Sequence, residues 1–205
     1  MTNTSYLNIC NQASFIHKFR LFSKMWCIIE RVGGLEKEIF ISKVAIQERV
    51  RELAAQISLD YAGKEPILIG ILKGSIFFFA DLMREIRIPT KMDFMRACSY
   101  GSNMHSSGSV HLTKDVELPI QGRAVIIVED IVDTGLTLSY IKETLEGRGV
   151  ESLRICSLID KLERREREVS VDYCGFQVKE GFLVGYGLDC NEEYRYLPEI
   201  YVLKE

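Results

Sequence analysis

The sequence predicts an α/β protein, a parallel-sheet core with helices on both faces plus a small hood formed by residues near 35–41 and the C-terminal segment. Three observations predict it. Ala124-Val125-Ile126-Ile127-Val128 is apolar and largely β-branched on both faces, as in a strand buried between helix layers. Asp133-Thr134-Gly135-Leu136-Thr137 follows closely and leads into Leu138, Ile141 and Leu145 at helical spacing, with Gly149 ending the run. Elsewhere, strand-like and helix-like stretches alternate, the pattern of parallel β-α-β units.

In chain order, Ser42 caps a helix whose apolar residues Ile46, Val50, Leu53, Ile57 and Tyr61 recur every three or four positions up to Gly63. Residues 66–71 form a buried strand, and Lys73-Gly74 a tight turn after it. The stretch 75–86 is a second helix, apolar nearly all round and therefore expected to be buried. Residues 91–99 form a strand. The Ser- and Gly-rich stretch 100–109 is expected to be a mobile loop. Strands follow at 110–116, 124–128 and 150–159, and short strands with charged turns make up the tail from Lys161. Ligands of open α/β sheets bind at the carboxyl edge of the strands, and the acidic turn, Lys73-Gly74 and Lys161 all fall there.

Composition narrows the function classes. With 205 residues and 47% hydrophobic content the chain can bury a full core. A net charge of −3 argues against wrapping nucleic acid by bulk charge. The six cysteines contain no CxxC pair and the three histidines no HExxH, so buried thiols in a reducing cytoplasm are expected and a zinc site is not. GxGxxG and GxxxxGK[ST] are both absent, which weighs against dinucleotide oxidoreductases and NTPases. No apolar run approaches the ~20 residues of a membrane span.

Residues 1–34 differ in character from the rest. Lys18, Arg20, Lys24 and Arg31 face Glu30 alone, and Phe15, Phe19, Phe22, Trp26 and Ile29 are spaced as on one helix face. Three readings stand: a helix packed on its own domain, a targeting or membrane-surface segment, or an upstream extension ahead of an alternative start at Met25. The expected organisation is an N-terminal extension over 1–34 and a single domain over 35–205.

The acidic turn carries chemistry. Gly135 lets a ligand approach the backbone, the first-turn amides and helix dipole favour an anion, and Thr134 and Thr137 add hydroxyls. Glu129, Asp130 and Asp133 beside a phosphate would repel it unless they serve ribose hydroxyls, Mg2+ or proton transfer, and a phosphorylated sugar satisfies all three.

Taken with Leu72-Lys73-Gly74-Ser75, Ser99-Tyr100-Gly101, Ser157-Leu158-Ile159-Asp160-Lys161, Asp172-Tyr173-Cys174-Gly175-Phe176 and Val184-Gly185-Tyr186-Gly187-Leu188-Asp189 with Arg195, this run resembles the type I phosphoribosyltransferases, specifically the bacterial hypoxanthine-guanine group. The resemblance covers about residue 35 to the end and implies the type I phosphoribosyltransferase fold. It also implies a Mg2+-dependent purine-salvage reaction, in which hypoxanthine or guanine takes the phosphoribosyl group of phosphoribosyl pyrophosphate to give IMP or GMP. On this resemblance Glu129 and Asp130 hold the ribose hydroxyls, directly or through Mg2+. Asp133 handles the proton at purine N7, and Thr134, Gly135, Leu136 and Thr137 cradle the 5′-phosphate, Leu136 by its amide alone. Lys73, Gly74 and Arg195 contact pyrophosphate, with a cis peptide implied between Leu72 and Lys73. Asp189 is a Mg2+ ligand beside the purine.

Lys161 resembles the lysine that donates to the purine O6; an ammonium has donors only, so it rewards a 6-oxo group and rejects a 6-amino group. Tyr173 is expected to stack on the base, the Cys174 backbone to meet its Watson–Crick edge, and Ser99-Tyr100 to head a loop closing over the reaction. Leu162 replaces the proline common at its position, and Cys174 a valine. A homodimer or homotetramer is implied, with small-molecule substrates and neither nucleic acid nor membrane as partner. Two rival readings are a transferase for adenine or a pyrimidine, which Lys161 and Tyr173 oppose, and a nucleic-acid-binding regulator sensing phosphoribosyl pyrophosphate, which the acidic balance opposes.

Overall fold

In a computed structural model, which describes residues 7–8, 30–32, 35–99 and 110–204, the elements run β1 (Leu7–Asn8), β2 (Glu30–Val32), β3 (Leu35–Ile41), α1 (Lys43–Asp60), β4 (Ile67–Ile71), α2 (Ile76–Glu85), β5 (Lys91–Ser99), β6 (Val110–Lys114), β7 (Ala124–Val132), α3 (Leu136–Glu146), β8 (Ser152–Lys161), β9 (Tyr173–Val178), β10 (Phe182–Val184) and β11 (Ile200–Lys204).

The main sheet has the order β1-β9-β8-β7-β4-β5-β6. The five inner strands are parallel and the two outer ones antiparallel to their neighbours. Each β-α-β step uses residues suited to it. β7 is buried on both faces through Val128, which is why its first five residues are all apolar. Ser42 accepts the Ala45 amide at the start of α1, and Ile46, Val50, Leu53 and Ile57 form the helix's buried stripe. At about 1.5–3 kcal/mol per fully buried aliphatic side chain, an upper bound for folding, that stripe outweighs any intrinsic helix propensity. It packs with α2 on one face of the sheet, and Leu138, Ile141 and Leu145 of α3 pack on the other.

Chain direction creates the crevice. From β4 the chain steps to β5 on one side and later returns to β7 on the other, so the ends of β4 and β7 flank a topological switch point, the usual place for a ligand in such sheets. A second, antiparallel sheet β10-β11-β3-β2 joins the strand at 35–41 to the C-terminal segment, with Val184, Tyr194, Leu197 and Tyr201 as its core.

Two expectations change. The second helix is not buried all round: Phe78, Phe79 and Leu82 are, but Ile76 and Phe77 are exposed, because only one helix face meets the sheet. The hood also begins ahead of residue 35, since Glu30–Val32 pairs with β3, while Leu7–Asn8 pairs with β9. The helix expected from Phe15 to Ile29 and the mobile loop at 100–109 lie outside the described residues.

Candidate active site

Three chain segments meet at the carboxyl edge. The first is the end of β7, where Asp130 is buried beside the partly covered Glu129. The Asp130 amide donates to Glu129 Oε1 at 3.3 Å. Burial, and then the Asp130 charge, hold the Glu129 carboxyl well above the usual carboxylate range. Among the described residues neither acid has an ion-pair partner. Two adjacent carboxylates without a neutralising side chain fit a hard cation, and Mg2+ needs only one or two protein carboxylates when water and substrate oxygens supply the rest. Asp189 does not join them in a cage, for no group of three such ligands forms among the described residues.

Beyond β7 the turn expected to hold phosphate is shaped by Gly135, at φ +81 as the N-cap of α3, where a Cβ would overlap the Arg167 carbonyl. The Glu166 and Arg167 amides donate to Thr134 O at 2.9 and 3.0 Å, so this turn is clasped from outside. The first-turn amides of α3 have no helical acceptors of their own. Asp133 pairs with Arg164 through Oδ2, whereas its Oδ1 is buried without a partner among the described residues. A buried carboxylate oxygen left unmatched is uncommon and costs stability.

The second segment follows β4. Its Leu72-Lys73 peptide is cis. A side chain at Gly74 would overlap the Asp130 carboxylate, so glycine here lets this loop close on β7. Lys73 Nζ lies 3.0 Å from Glu192 Oε1.

The third segment is the end of β8 with the hood. Lys161 is 5% exposed and its ammonium lies 3.0 Å from Glu163, so it is not part of a solvated charge run. Asp189 accepts the Glu192 amide at 2.9 Å and pairs with Arg195 at 2.8 Å, and Arg195 also donates to the Gly187 carbonyl at 2.7 Å. Tyr186, Asn191, Glu192 and Tyr194 all have positive φ, so this stretch is tightly coiled. Ser99 ends β5, its side chain lies outside the described atoms, and Tyr100 lies outside the described residues.

Two expected base contacts are corrected. Tyr173 opens β9 opposite Cys156, whereas Lys161 is opposite Val178, so at ~3.3 Å per residue the two are about 16 Å apart along the sheet. The Tyr173 ring is 1% exposed, and its hydroxyl donates to Asp60 and accepts from Arg154. It cannot stack on a base at the other edge. The Cys174 carbonyl is likewise taken, accepting from Arg49 at 2.6 Å.

The sequence reading leaves out Phe182. It starts β10, four residues beyond Val178, the lateral neighbour of Lys161. Its ring is 49% exposed. The backbone of the adjacent Gly181 helps to lower the carboxyl of Glu163, the partner of Lys161, after the larger effect of Lys161 itself. Strand direction was the available signal: a residue opening a parallel strand lies at the edge away from its neighbour's end, which excludes Tyr173 and favours an aromatic after the β9 turn.

The family described as the phosphoribosyl transferase domain matches residues 41–191. The chain is 44% identical over 168 residues to a hypoxanthine-guanine phosphoribosyltransferase of Bacillus subtilis, covering 82% of this chain and 93% of that protein. It is 37% identical over 201 residues to a bifunctional TilS/HprT protein of Listeria monocytogenes, covering 94% of this chain, which reaches into the first 34 residues, and 31% of that protein. A crystal structure of a hypoxanthine-guanine phosphoribosyltransferase from Bacillus anthracis, with HEPES in its active site, superposes with a TM-score of 0.77 at 43% identity, covering 85% of this chain and 98% of that one.

Proposed function

The chain belongs to the phosphoribosyltransferase family and, within it, to the hypoxanthine-guanine phosphoribosyltransferases, which are pentosyltransferases. From that membership we propose that it serves purine salvage by joining N9 of hypoxanthine or guanine to C1′ of phosphoribosyl pyrophosphate. The C1′–oxygen bond breaks, pyrophosphate leaves with the bonding pair, and IMP or GMP forms. The observation that carries this reading is the buried Oδ1 of Asp133, without a partner among the described residues, on the same turn as the amides proposed to bind phosphate.

In this mechanism the amides of Thr134, Gly135, Leu136 and Thr137 and the two hydroxyls bind the 5′-phosphate. The purine lies against Phe182 in place of Tyr173, with Lys161 donating to O6 once Glu163 yields its place. Asp133 accepts or returns the proton at N7, its Arg164 partner being exposed and easily displaced. Glu129 and Asp130 hold the ribose hydroxyls. They or Asp189 would hold Mg2+, whose chemistry there is to neutralise charge on the departing pyrophosphate. Lys73, the Gly74 amide and Arg195 bind that group directly. Ser99 and Tyr100 close the site from the end of β5.

The domain is taken as 35–205 joined by the strands at 30–32 and 7–8, with the other N-terminal residues as an extension. We place the enzyme in the cytoplasm, consistent with the buried thiol of Cys156, which is in no disulfide. No helix among the described residues is long and apolar enough to cross a membrane. Assembly as a homodimer or homotetramer is supported by the exposed Phe77 and Tyr196, and neither nucleic acid nor membrane is a partner. The test is pyrophosphate release from phosphoribosyl pyrophosphate and Mg2+ with each purine supplied in turn. Release is expected with hypoxanthine and guanine but not adenine; adenine as the sole acceptor, or no release at all, overturns the reading.

A further inference from the structure

Arg165 stands in the charged stretch Glu163-Arg164-Arg165-Glu166-Arg167-Glu168, which suggests a solvated surface. Its side chain is nevertheless only 15% exposed. Nε donates to the Asp133 carbonyl at 2.9 Å. Nη2 donates to the Val132 and Lys161 carbonyls, each at 3.1 Å, and pairs with the buried Asp160 carboxylate. Nη1 reaches Val169 O at 3.4 Å. One planar guanidinium therefore fastens the end of β7 to the end of β8 just past the pair Val132↔Asp160. A lysine ammonium, a point donor on a flexible stem, cannot span these acceptors.

We propose that Arg165 is a positioning residue that sets the distance between Asp133 and Lys161, and so the fit of the enzyme to the N7–O6 edge of a 6-oxopurine. This rests on the roles given above to those two residues. The phosphate turn, which the Arg165 side chain also touches at Gly135, has a further hold that does not use that side chain, the main-chain amides of Glu166 and Arg167 on Thr134 O. Loss of the Arg165 side chain should therefore misplace the purine-facing groups and spare the phosphate site. That asymmetry distinguishes positioning from general support of the fold.

Two variants of the full chain test this, with kcat and both KM values normalised to folded protein. Arg165→Lys keeps a charge for Asp160 without the fork. Arg165→Gln combined with Asp160→Asn removes both charges, so no unpaired ion is left buried. In both, kcat/KM for hypoxanthine should fall about 10- to 100-fold, the scale of an ångström's misplacement, while KM for phosphoribosyl pyrophosphate stays within about twofold. A proportional change in both KM values overturns the proposal, as do kinetics within about twofold of the unaltered chain or failure of both variants to fold. If the unaltered chain does not turn over hypoxanthine, the assigned activity falls instead, and this inference with it.

Discussion

The two edges of the main sheet, at the amino and carboxyl ends of its parallel strands, are built from the same kinds of residue and behave differently. At the amino end, Arg154 donates to Asp60 at 2.9 Å and to the Tyr173 hydroxyl at 2.7 Å, and that hydroxyl donates to Asp60 at 2.8 Å. The guanidinium carbon lies 5.8 and 5.7 Å from the ring centres of Tyr61 and Tyr173, and Asp172 accepts the Ile155 amide. At the carboxyl end, Asp133 keeps a buried oxygen with no partner among the described residues. Glu129 and Asp130 stand together without a cationic side chain among the described residues, and Phe182 is half open to solvent. A closed set of donors and acceptors stabilises; a set left open recognises a ligand.

The sharpest test of that contrast is Asp133→Asn. The amide keeps the shape and the contact with Arg164 but cannot take a proton. A fall in kcat of about 10²- to 10⁴-fold is expected, with the thermal melt unchanged or raised because a buried charge is removed. A variant that turns over like the unaltered protein would make the open valence of Asp133 incidental. Lys161→Gln comes next. A glutamine offers an acceptor as well as donors, so the preference for hypoxanthine over adenine in kcat/KM should drop by about 10- to 100-fold. An unchanged preference would move O6 recognition elsewhere.

Much of this was legible from spacing and residue type. The stripe of α1 with its Ser42 cap, the doubly buried β7 and the acids at its end follow from periodicity and local chemistry, because each is fixed within one segment. Tyr173 misled because an aromatic beside a strand is compatible with either edge until the strand's direction is considered. The role of Arg165 was out of reach for a different reason: its partners are carbonyls of three segments, and main-chain acceptors leave no mark on composition. The exposed face of α2 was missed in the same way, since an all-apolar helix does not say which side its neighbours leave bare.

A smaller effect probes the rim of the open site. Glu192 sits between Lys73 at 3.0 Å and Arg195 at 3.3 Å, two groups assigned to pyrophosphate. The hydrogen bond from Lys73, foremost, holds its carboxyl below the usual range, so it remains charged through neutral pH and loses its charge only in acid. Glu192→Gln should therefore strengthen pyrophosphate inhibition by a few-fold, up to about fivefold, as befits an exposed ion pair. The difference between variant and unaltered protein should shrink as pH falls through that lowered range. Equal inhibition constants at neutral pH would show that Glu192 does not compete for these cations.

The smallest effect on turnover is expected at the closed end, and it tests the comparison from the other side. Burial, then the hydrogen bond to Asp60, raises the Tyr173 phenol above its ordinary range, so the hydroxyl is a fixed neutral donor rather than a titrating group. Tyr173→Phe keeps the buried ring and removes that donor, while Asp60 retains Arg154. Loss of the two hydrogen bonds of the hydroxyl, to Asp60 and from Arg154, costs about 1–3 kcal/mol, with a melting temperature lower by about 2–4 °C for each kcal/mol in a chain of this size. Neither kcat nor KM for either substrate should move by more than about twofold, because the strand ladder between the two ends is unchanged. A hypoxanthine KM that rose tenfold with little loss of stability would return Tyr173 to the purine site and erase the distinction between the edges.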